Sequence, residues 1–310
     1  MSEYQFYEFQ AIDQPLSHDA RQEMQRLSSR VQLTASSASF VYHYGDFRDD
    51  PYRVLAEYFD AMLYITNWGT RQLMFRFPKT AVDREALEPY TLADSFSITE
   101  EDNHLIVDIE VHDEDGGNWG WVEGEGWLSG LVQLREDILQ GDLRVLYLAW
   151  LRAAYLEYEI LEDDEDLTEP PVPPRLGALS PALKQFIAFF ELDEDLVSAA
   201  AQSSPDASPT EKAALGSYVD RLSPDEMRGF LHRLLRAERH LDIALTKRLR
   251  EFIPAPEQAP SSTPARTLRA LVSQAESVEK ARLAEEKRQA EAALQKLLRK
   301  NQSSGHKCRE

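Results

Sequence analysis

The chain has 310 residues and a formal net charge of −20, and 43% of its residues are hydrophobic. This composition supplies a core and excludes an intrinsically disordered chain, while the length favours two domains. A single cysteine, Cys308, excludes a disulfide framework and a cysteine-based zinc site. No run reaches the ~20 apolar residues of a membrane span, and the first ten residues lack the regions of a signal peptide, so we expect a cytoplasmic protein.

The charge is distributed unevenly along the chain. Residues 1–170 carry 12 basic and 35 acidic side chains, a balance of −23, whereas residues 265–310 carry 11 and 6, a balance of +5. An acidic surface repels phosphate backbones, so we expect nucleic acid to bind at most weakly, through residues 265–310. The opposite charges of the two ends also predict weak self-association, and no cofactor is predicted.

The first elements follow from alternation and capping signals. Residues 4–12 are rich in aromatic side chains and roughly alternate between apolar and polar, which predicts a strand. Ser17 is predicted to cap a helix that runs to about residue 29. Residues 31–44 predict one or two further strands, and Asp50-Pro51 begins a second helix.

Two hairpins follow. The first has apolar runs on either side of Asn67-Trp68-Gly69-Thr70, and the second spans residues 95–111 with its turn at residues 101–103. The order of strands, helices and hairpins predicts an α+β fold, with an N-terminal, mostly antiparallel sheet and helices on one face.

Residues 127–158 are predicted helical, and the composition then changes to an acidic, proline-rich stretch. Beyond it, Ser180-Pro181, Ser208-Pro209 and Ser223-Pro224 each place a cap before a first-turn proline, which predicts an all-α module. The predicted organisation is an acidic α+β domain (1–160), a linker (161–177), a helical module (178–253), a second linker (254–264), a long basic charged helix (265–301) and a disordered tail (302–310).

The run from His104 to His112 is the most suggestive of chemistry. Its period-two alternation places His104, Asp108, Glu110 and His112 on one side of a strand. The two histidines would lie ~27 Å apart and so would not share an ion, which leaves Glu110 and His112 as the metal candidates. A solvated polar face is the favoured interpretation. The alternative is a site whose catalytic candidates are His43, Asp46, His104 and Asp108.

Several aromatic side chains are candidates for binding a ligand or a partner. Trp68 lies at the predicted turn, and Trp119, Trp121 and Trp127 lie in a glycine-rich loop. Tyr44 belongs to a second polar and aromatic segment, at residues 42–47. Loops often carry function and tryptophan is enriched at interface hot spots, but tryptophan also anchors loops onto a core, and both alternatives stay open.

The helical part carries two further patterns. A basic stripe indicates either a solvated face or one that docks against the acidic first domain; its members are His232, Arg233, Arg236, Arg239 and His240. The charged middle of the terminal helix, with Leu283 as its main apolar residue, breaks a sustained heptad. This favours a partner-binding or weakly self-associating helix over a strong coiled coil.

Four segments together resemble a family of uncharacterised bacterial proteins over residues 4–205: YEFQAID, NWGTRQLMFR, GDLRVLYLAWL and EPPVPPRLGALSPAL. Relatives in that family neighbour SWIM-type zinc-finger proteins in bacterial genomes. The resemblance implies a bacterial cytosolic protein with two parts and a zinc-finger protein as partner. It carries over no catalytic residue.

Two hypotheses of function follow. The first is a non-enzymatic adaptor or accessory subunit that binds its partner through the exposed aromatic loops, the C-terminal helix or both. The second is an enzyme, or a protein that binds a metal or small ligand, with its site between the polar sheet face and the Trp119–Trp127 loop. Weak contact with nucleic acid through the basic tail is a third.

Overall fold

The computed structural model describes residues 3–92, 95–112, 124–158, 167–205, 215–252 and 266–306. Its sheet has seven strands: β1 (Gln5–Gln10), β2 (Gln32–Leu33), β3 (Ser37–Tyr42), β4 (Ala61–Thr66), β5 (Thr70–Pro78), β6 (Phe96–Glu101) and β7 (His104–His112). Their order across the sheet is β2-β3-β1-β4-β5-β7-β6, and all neighbours are antiparallel. Both predicted hairpins are present, as β4–β5 and β6–β7.

The helices of the described residues are α1 (His18–Leu27), α2 (Pro51–Tyr58), α3 (Arg84–Leu87), α4 (Trp127–Leu131), α5 (Gln133–Leu139), α6 (Arg144–Tyr158), α7 (Pro181–Phe190), α8 (Glu194–Ala201), α9 (Pro224–Leu235), α10 (Leu241–Arg250) and α11 (Leu268–His306). The predicted caps Ser17, Asp50, Ser180 and Ser223 each accept a hydrogen bond from the first turn of their helix. The α+β class, the antiparallel sheet and the long C-terminal helix are confirmed.

Helices cover both faces of the sheet. One face, with Leu63, Phe75 and Val107, forms a core with α4 to α8, which we call the main core. The opposite face packs against α1 and α2 through side chains such as Phe9 and Met62. The prediction of helices on one face is corrected in this respect, because the central strands carry buried side chains on both sides and each side needs a cover.

The boundary predicted at residues 161–177 does not separate two cores. Helices α7 and α8 pack in the main core with the sheet, and Leu176 within the predicted linker is fully buried there. Arg71 of β5 donates to the carbonyl of Phe189, and Arg152 of α6 donates to that of Phe190 at 2.8 Å. These bonds hold the last turn of α7 against the sheet and α6, because two buried arginines satisfy its terminal carbonyls.

Residues 215–252 have a small cluster of their own. It consists of Leu215, Leu222 and Leu249, with Met227 packed against it. Ile243 of α10 joins the main core, so this helical pair is attached to the rest of the chain by few apolar contacts. We call α9 and α10 the helical pair.

Helix α11 begins in the main core and then leaves it. Leu268 and Leu271 are buried, and Arg282 pairs with Asp195 of α8 at 2.7 Å. The 24 residues after Arg282 are about 36 Å of helix. Every side chain described from residue 279 to residue 296 is exposed. Within the described ranges, neither α11 nor any other helix combines the length and apolar character of a membrane span.

Candidate functional site

Several of the sequence-predicted site residues meet at one end of the sheet. Gln5 of β1 is opposite Tyr42 and Thr66, and Thr70 of β5 is opposite His112. The turn that contains Trp68 and the loop of residues 43–47 therefore lie beside each other at this end. We call this region the aromatic end; its sequence-predicted members are His43, Tyr44, Asp46, Trp68, Glu110 and His112.

Gly124 also lies near the aromatic end. Its backbone N–H donates to the Tyr4 hydroxyl at 3.4 Å. A Cβ on Gly124 would lie 2.1 Å from the Phe6 ring, so only glycine allows this approach. The predicted Trp119 and Trp121 lie outside the described residues.

Local hydrogen bonds fix the turn that presents Trp68. Asn67 accepts from the backbone N–H of Tyr4 at 2.9 Å and donates its own N–H to the Tyr4 carbonyl at 3.1 Å. Gly69 has φ +100°, a conformation that favours glycine in a tight turn. Trp68 remains 40% exposed, and Tyr44 in the neighbouring loop is 81% exposed.

A layer of polar side chains lies on the sheet next to the loop of residues 43–47. Gln5 Oε1 accepts from the hydroxyls of Tyr7 at 3.2 Å and Tyr64 at 3.1 Å. Gln5 Nε2 donates to the Gly45 carbonyl at 3.2 Å and to Asp46 Oδ1 at 3.4 Å. One buried glutamine therefore ties the loop that carries Tyr44 and Asp46 to the sheet.

The carboxylates of β7 join this layer. Asp108 accepts from the Tyr52 hydroxyl and from Gln72 Nε2 at 2.9 and 3.1 Å, and Gln72 Nε2 also lies 3.3 Å from Glu110 Oε2. Asp108 is only 7% exposed. The expectation of a solvated polar face is therefore wrong at Asp108, because α2 lies over β7 and brings Tyr52 onto it.

Burial dominates the electrostatics of this layer. It raises the pKa of Asp108, and it raises the pKa of Glu110 with a further contribution from the neighbouring Asp108. Burial also raises the pKa of Tyr7, Tyr52 and Tyr64, so these hydroxyls stay protonated as donors. No described lysine or arginine forms an ion pair with either β7 carboxylate, and the nearest positive charge that acts on Glu110 is that of His112, which lowers the pKa of Glu110.

The predicted metal pair is adjacent but does not form a larger cluster. His112 Nδ1 is 2.7 Å from Thr70 Oγ1. Glu110 lies two positions before His112 on β7 and therefore on the same face of the strand. Across the described ranges, no three histidine, cysteine, aspartate or glutamate side chains are grouped so as to hold a metal ion.

Two predicted residues lie elsewhere. Trp127 begins α4 on the other face of the sheet, where its ring lies 5.3 Å from that of Phe189. It therefore anchors α4 in the main core, and a site between Trp127 and the polar face is contradicted because the sheet separates them. His104 lies at the far end of β7 from the aromatic end, in the wall of a cavity.

That cavity, of about 790 Å³, lies between the end of the sheet opposite to the aromatic end and residues 233–244, which join α9 to α10. His240 Nε2 approaches Asp13 Oδ2 at 3.2 Å, so one member of the predicted basic stripe does contact the acidic domain. Arg135, only 2% exposed, donates to both Asp13 oxygens at 3.0 and 2.8 Å. Burial opposes ionisation of Asp13, but the bonds from Arg135 and His240 outweigh it and lower its pKa.

Sequence reasoning did not single out Asp13, Asp60 or Arg135. Asp60 accepts from the backbone N–H groups of Ile12 and Asp13 at 2.7 and 2.8 Å and from Arg76 Nη2 at 2.8 Å. A signal for Arg135 existed, since it is an arginine within the apolar run of α5. Because every Asp13 and Asp60 oxygen has a partner, we interpret this cluster as a structural lock.

No protein-family model, curated protein or solved structure matches this chain.

Proposed function

We propose that this protein is a non-catalytic adaptor or accessory subunit that binds a basic segment of a protein partner at the aromatic end. The observation that carries the proposal is the exposure of two aromatic side chains, Tyr44 and Trp68, at the same end of the sheet as the carboxylates of Asp46 and Glu110, with which no described lysine or arginine forms an ion pair. Tyrosine and tryptophan are frequent binding hot spots, and their ring faces attract lysine and arginine.

The charge of the region supports a cationic partner. Asp46 lies in the loop that carries Tyr44, and residues 1–170 have a balance of −23. Opposite charge accelerates encounter and selects partners. A cytoplasmic location is part of the proposal, and a SWIM-type zinc-finger protein is the partner that the family resemblance implies.

The residues nominated for catalysis do not assemble into one acid–base site. His43 packs against the Tyr4 ring at 5.9 Å between centroids, Asp46 accepts from Gln5 Nε2 at 3.4 Å, and His104 lies in the separate cavity. Asp108 has its oxygens occupied by Tyr52 and Gln72. General acid–base catalysis needs a group within hydrogen-bond reach of the reacting proton, and these partners favour binding over chemistry.

The test is fluorescence anisotropy with a labelled twelve-residue peptide of alternating lysine and serine, and a glutamate–serine twin as the charge control. We expect the full chain to bind the lysine peptide with a salt-sensitive Kd. Trp68→Ala and Tyr44→Ala should each weaken it at least about fivefold, which corresponds to roughly 1 kcal/mol. The matched control is Leu283→Ala, at a 49% exposed residue of α11, and it should have no effect.

Equal binding of the two peptides, or unchanged binding in both aromatic variants, would contradict the proposal. Saturable turnover of a substrate by the purified chain would contradict its non-catalytic part. If Leu283→Ala alone weakens the lysine peptide, the contact belongs to α11.

A further inference from the structure

Helix α9 carries an apolar stripe whose C-terminal leucines are left uncovered by the rest of the described chain. The stripe follows the i, i+3, i+4, i+7 and i+8 positions of the helix: Met227, Phe230, Leu231, Leu234 and Leu235. Leu231, Leu234 and Leu235 are 59%, 63% and 84% exposed, and no residue of α9 is buried. Adjacent exposed leucines on a folded helix mark an interaction surface or an aggregation risk. We call these three residues the leucine face.

The helix that presents the leucine face is held firmly at its first turn. Ser223 and Glu226 form a capping box, with bonds of 3.2 and 2.8 Å between side chain and backbone. Arg248 of α10 donates to Glu226 at 2.8 Å, and Met227 packs on the cluster of the helical pair. The last two turns of α9 therefore extend past their support as a preformed surface.

Basic side chains flank the leucine face. At about 100° per residue, Arg228 and His232 follow Leu235 on one side of the helix, and Glu226 and then Arg233 lie beyond Phe230 on the other. Arg228 pairs with Asp225 at 3.2 Å and Arg233 pairs with Glu238 at 2.7 Å. Arg236 and Arg239 continue this charge past the helix end, and neither is within salt-bridge distance of a described carboxylate. A matching surface would place acidic groups around an apolar stripe.

We propose that the leucine face binds one amphipathic helix of a protein partner, whose apolar stripe is flanked by aspartate or glutamate. Leucines at this spacing form a ridge that packs into the groove of another helix. From Met227 to Leu235 the stripe is about 12 Å long and one helix wide. Each partner of a stable dimer buries about 800 Å², so the size fits a single helix better than a second copy of this chain.

This site is separate from the aromatic end and opposite to it in charge. The two proposals are therefore distinguishable: substitutions at the leucine face leave binding of the lysine peptide unchanged, and Trp68→Ala leaves binding at the leucine face unchanged.

The test uses the full chain and a labelled eighteen-residue peptide with leucines at i, i+3, i+4 and i+7 and glutamate at the flanking positions. Its twin carries lysine in place of each glutamate. We expect the glutamate peptide to bind at least tenfold tighter than the lysine twin. Leu231→Gln combined with Leu235→Gln should weaken it at least tenfold, while Leu283→Gln, a matched substitution on α11, should leave it unchanged.

Circular dichroism establishes that the double variant keeps its helix content, since exposed leucines are expected to add little to stability. Equal affinity for the two peptides, or unaltered binding by the double variant, would overturn the proposal. A wild-type dimer in light scattering that becomes monomeric in the double variant would assign the face to a second copy, and would also overturn it.

Discussion

Helices α6 and α9 both carry apolar runs, yet the fold treats them in opposite ways. Eleven residues of α6 are buried, whereas α9 has none. Helix α6 lies against α7, α11 and the sheet within one core, while α9 packs mainly on α10. An apolar run therefore contributes to stability only where several elements surround it, and otherwise it remains available for binding.

Charged side chains show the same contrast between buried and exposed positions, and here we expect the largest effect on the free energy of unfolding. Arg135 is buried with Asp13 and Asp60, whereas Arg228 of α9 pairs with Asp225 in the open at 3.2 Å. Removing one partner of a buried pair leaves a buried charge, so Arg135→Met should lower the free energy of unfolding by about 3–5 kcal/mol. Arg228→Met should change it by less than about 0.5 kcal/mol in the same urea titration.

The pH dependence of this destabilisation follows from Asp13. The pKa of Asp13 is lowered in the folded state, so its ionised form stabilises the protein above its unfolded pKa of about 3.9, and this stabilisation is lost as the pH falls through the lower folded value. The difference in free energy of unfolding between wild type and Arg135→Met should therefore become smaller below about pH 4. A difference that stays constant down to pH 3 would show that the pair with Asp13 does not cause it.

Matched leucine truncations compare the two helices directly. Leu148 of α6 is fully buried, so Leu148→Ala should destabilise by about 2–5 kcal/mol through lost burial and a cavity. Leu235→Ala should change stability by less than about 0.5 kcal/mol, because its side chain is already in water. Similar losses of free energy of unfolding in the two variants, measured by chemical denaturation, would mean that Leu235 is buried by packing in the folded protein.

Because α9 has little packing, its own cap should matter locally. Ser223→Ala removes the hydrogen bond to the Glu226 N–H and should cost about 1 kcal/mol. We expect faster amide hydrogen exchange in α9 and unchanged exchange in α6. Equal changes in both helices would show that they unfold as one unit.

The smallest effect concerns Glu110. Its pKa is raised in the folded state, so the folded protein holds the proton more tightly and loses stability as the pH rises above the unfolded value. Glu110→Gln should therefore raise the free energy of unfolding above about pH 5, and near pH 3 the variant and the wild type should be equally stable. The gain should not exceed about 1 kcal/mol, because solvent screens a half-buried group. Thermal melts across this range should show a trend of opposite sign to that at Asp13.

Local signals predicted the elements well. The Ser17 and Asp50 caps, the turn at Asn67-Trp68-Gly69 and the alternation of residues 104–112 are properties of a few neighbouring residues, and the structure contains each of them. The convergence of Tyr44, Asp46 and Trp68 was not predicted, since it depends on the register of β1 between β3 and β4.

The sequence by itself determined the longer helices of the described residues, the hairpins, the uneven charge and the nature of the side chains available for binding; α3 was not predicted, and the predicted cap Ser208 lies outside the described residues. These depend on propensities, caps and periodicities that act over a few residues. Only the tertiary structure decided that Asp108 is buried under Tyr52, that Asp13 pairs with Arg135 and that α7 joins the sheet. The reason is that each of these contacts joins residues dozens of positions apart, through burial that no local pattern encodes.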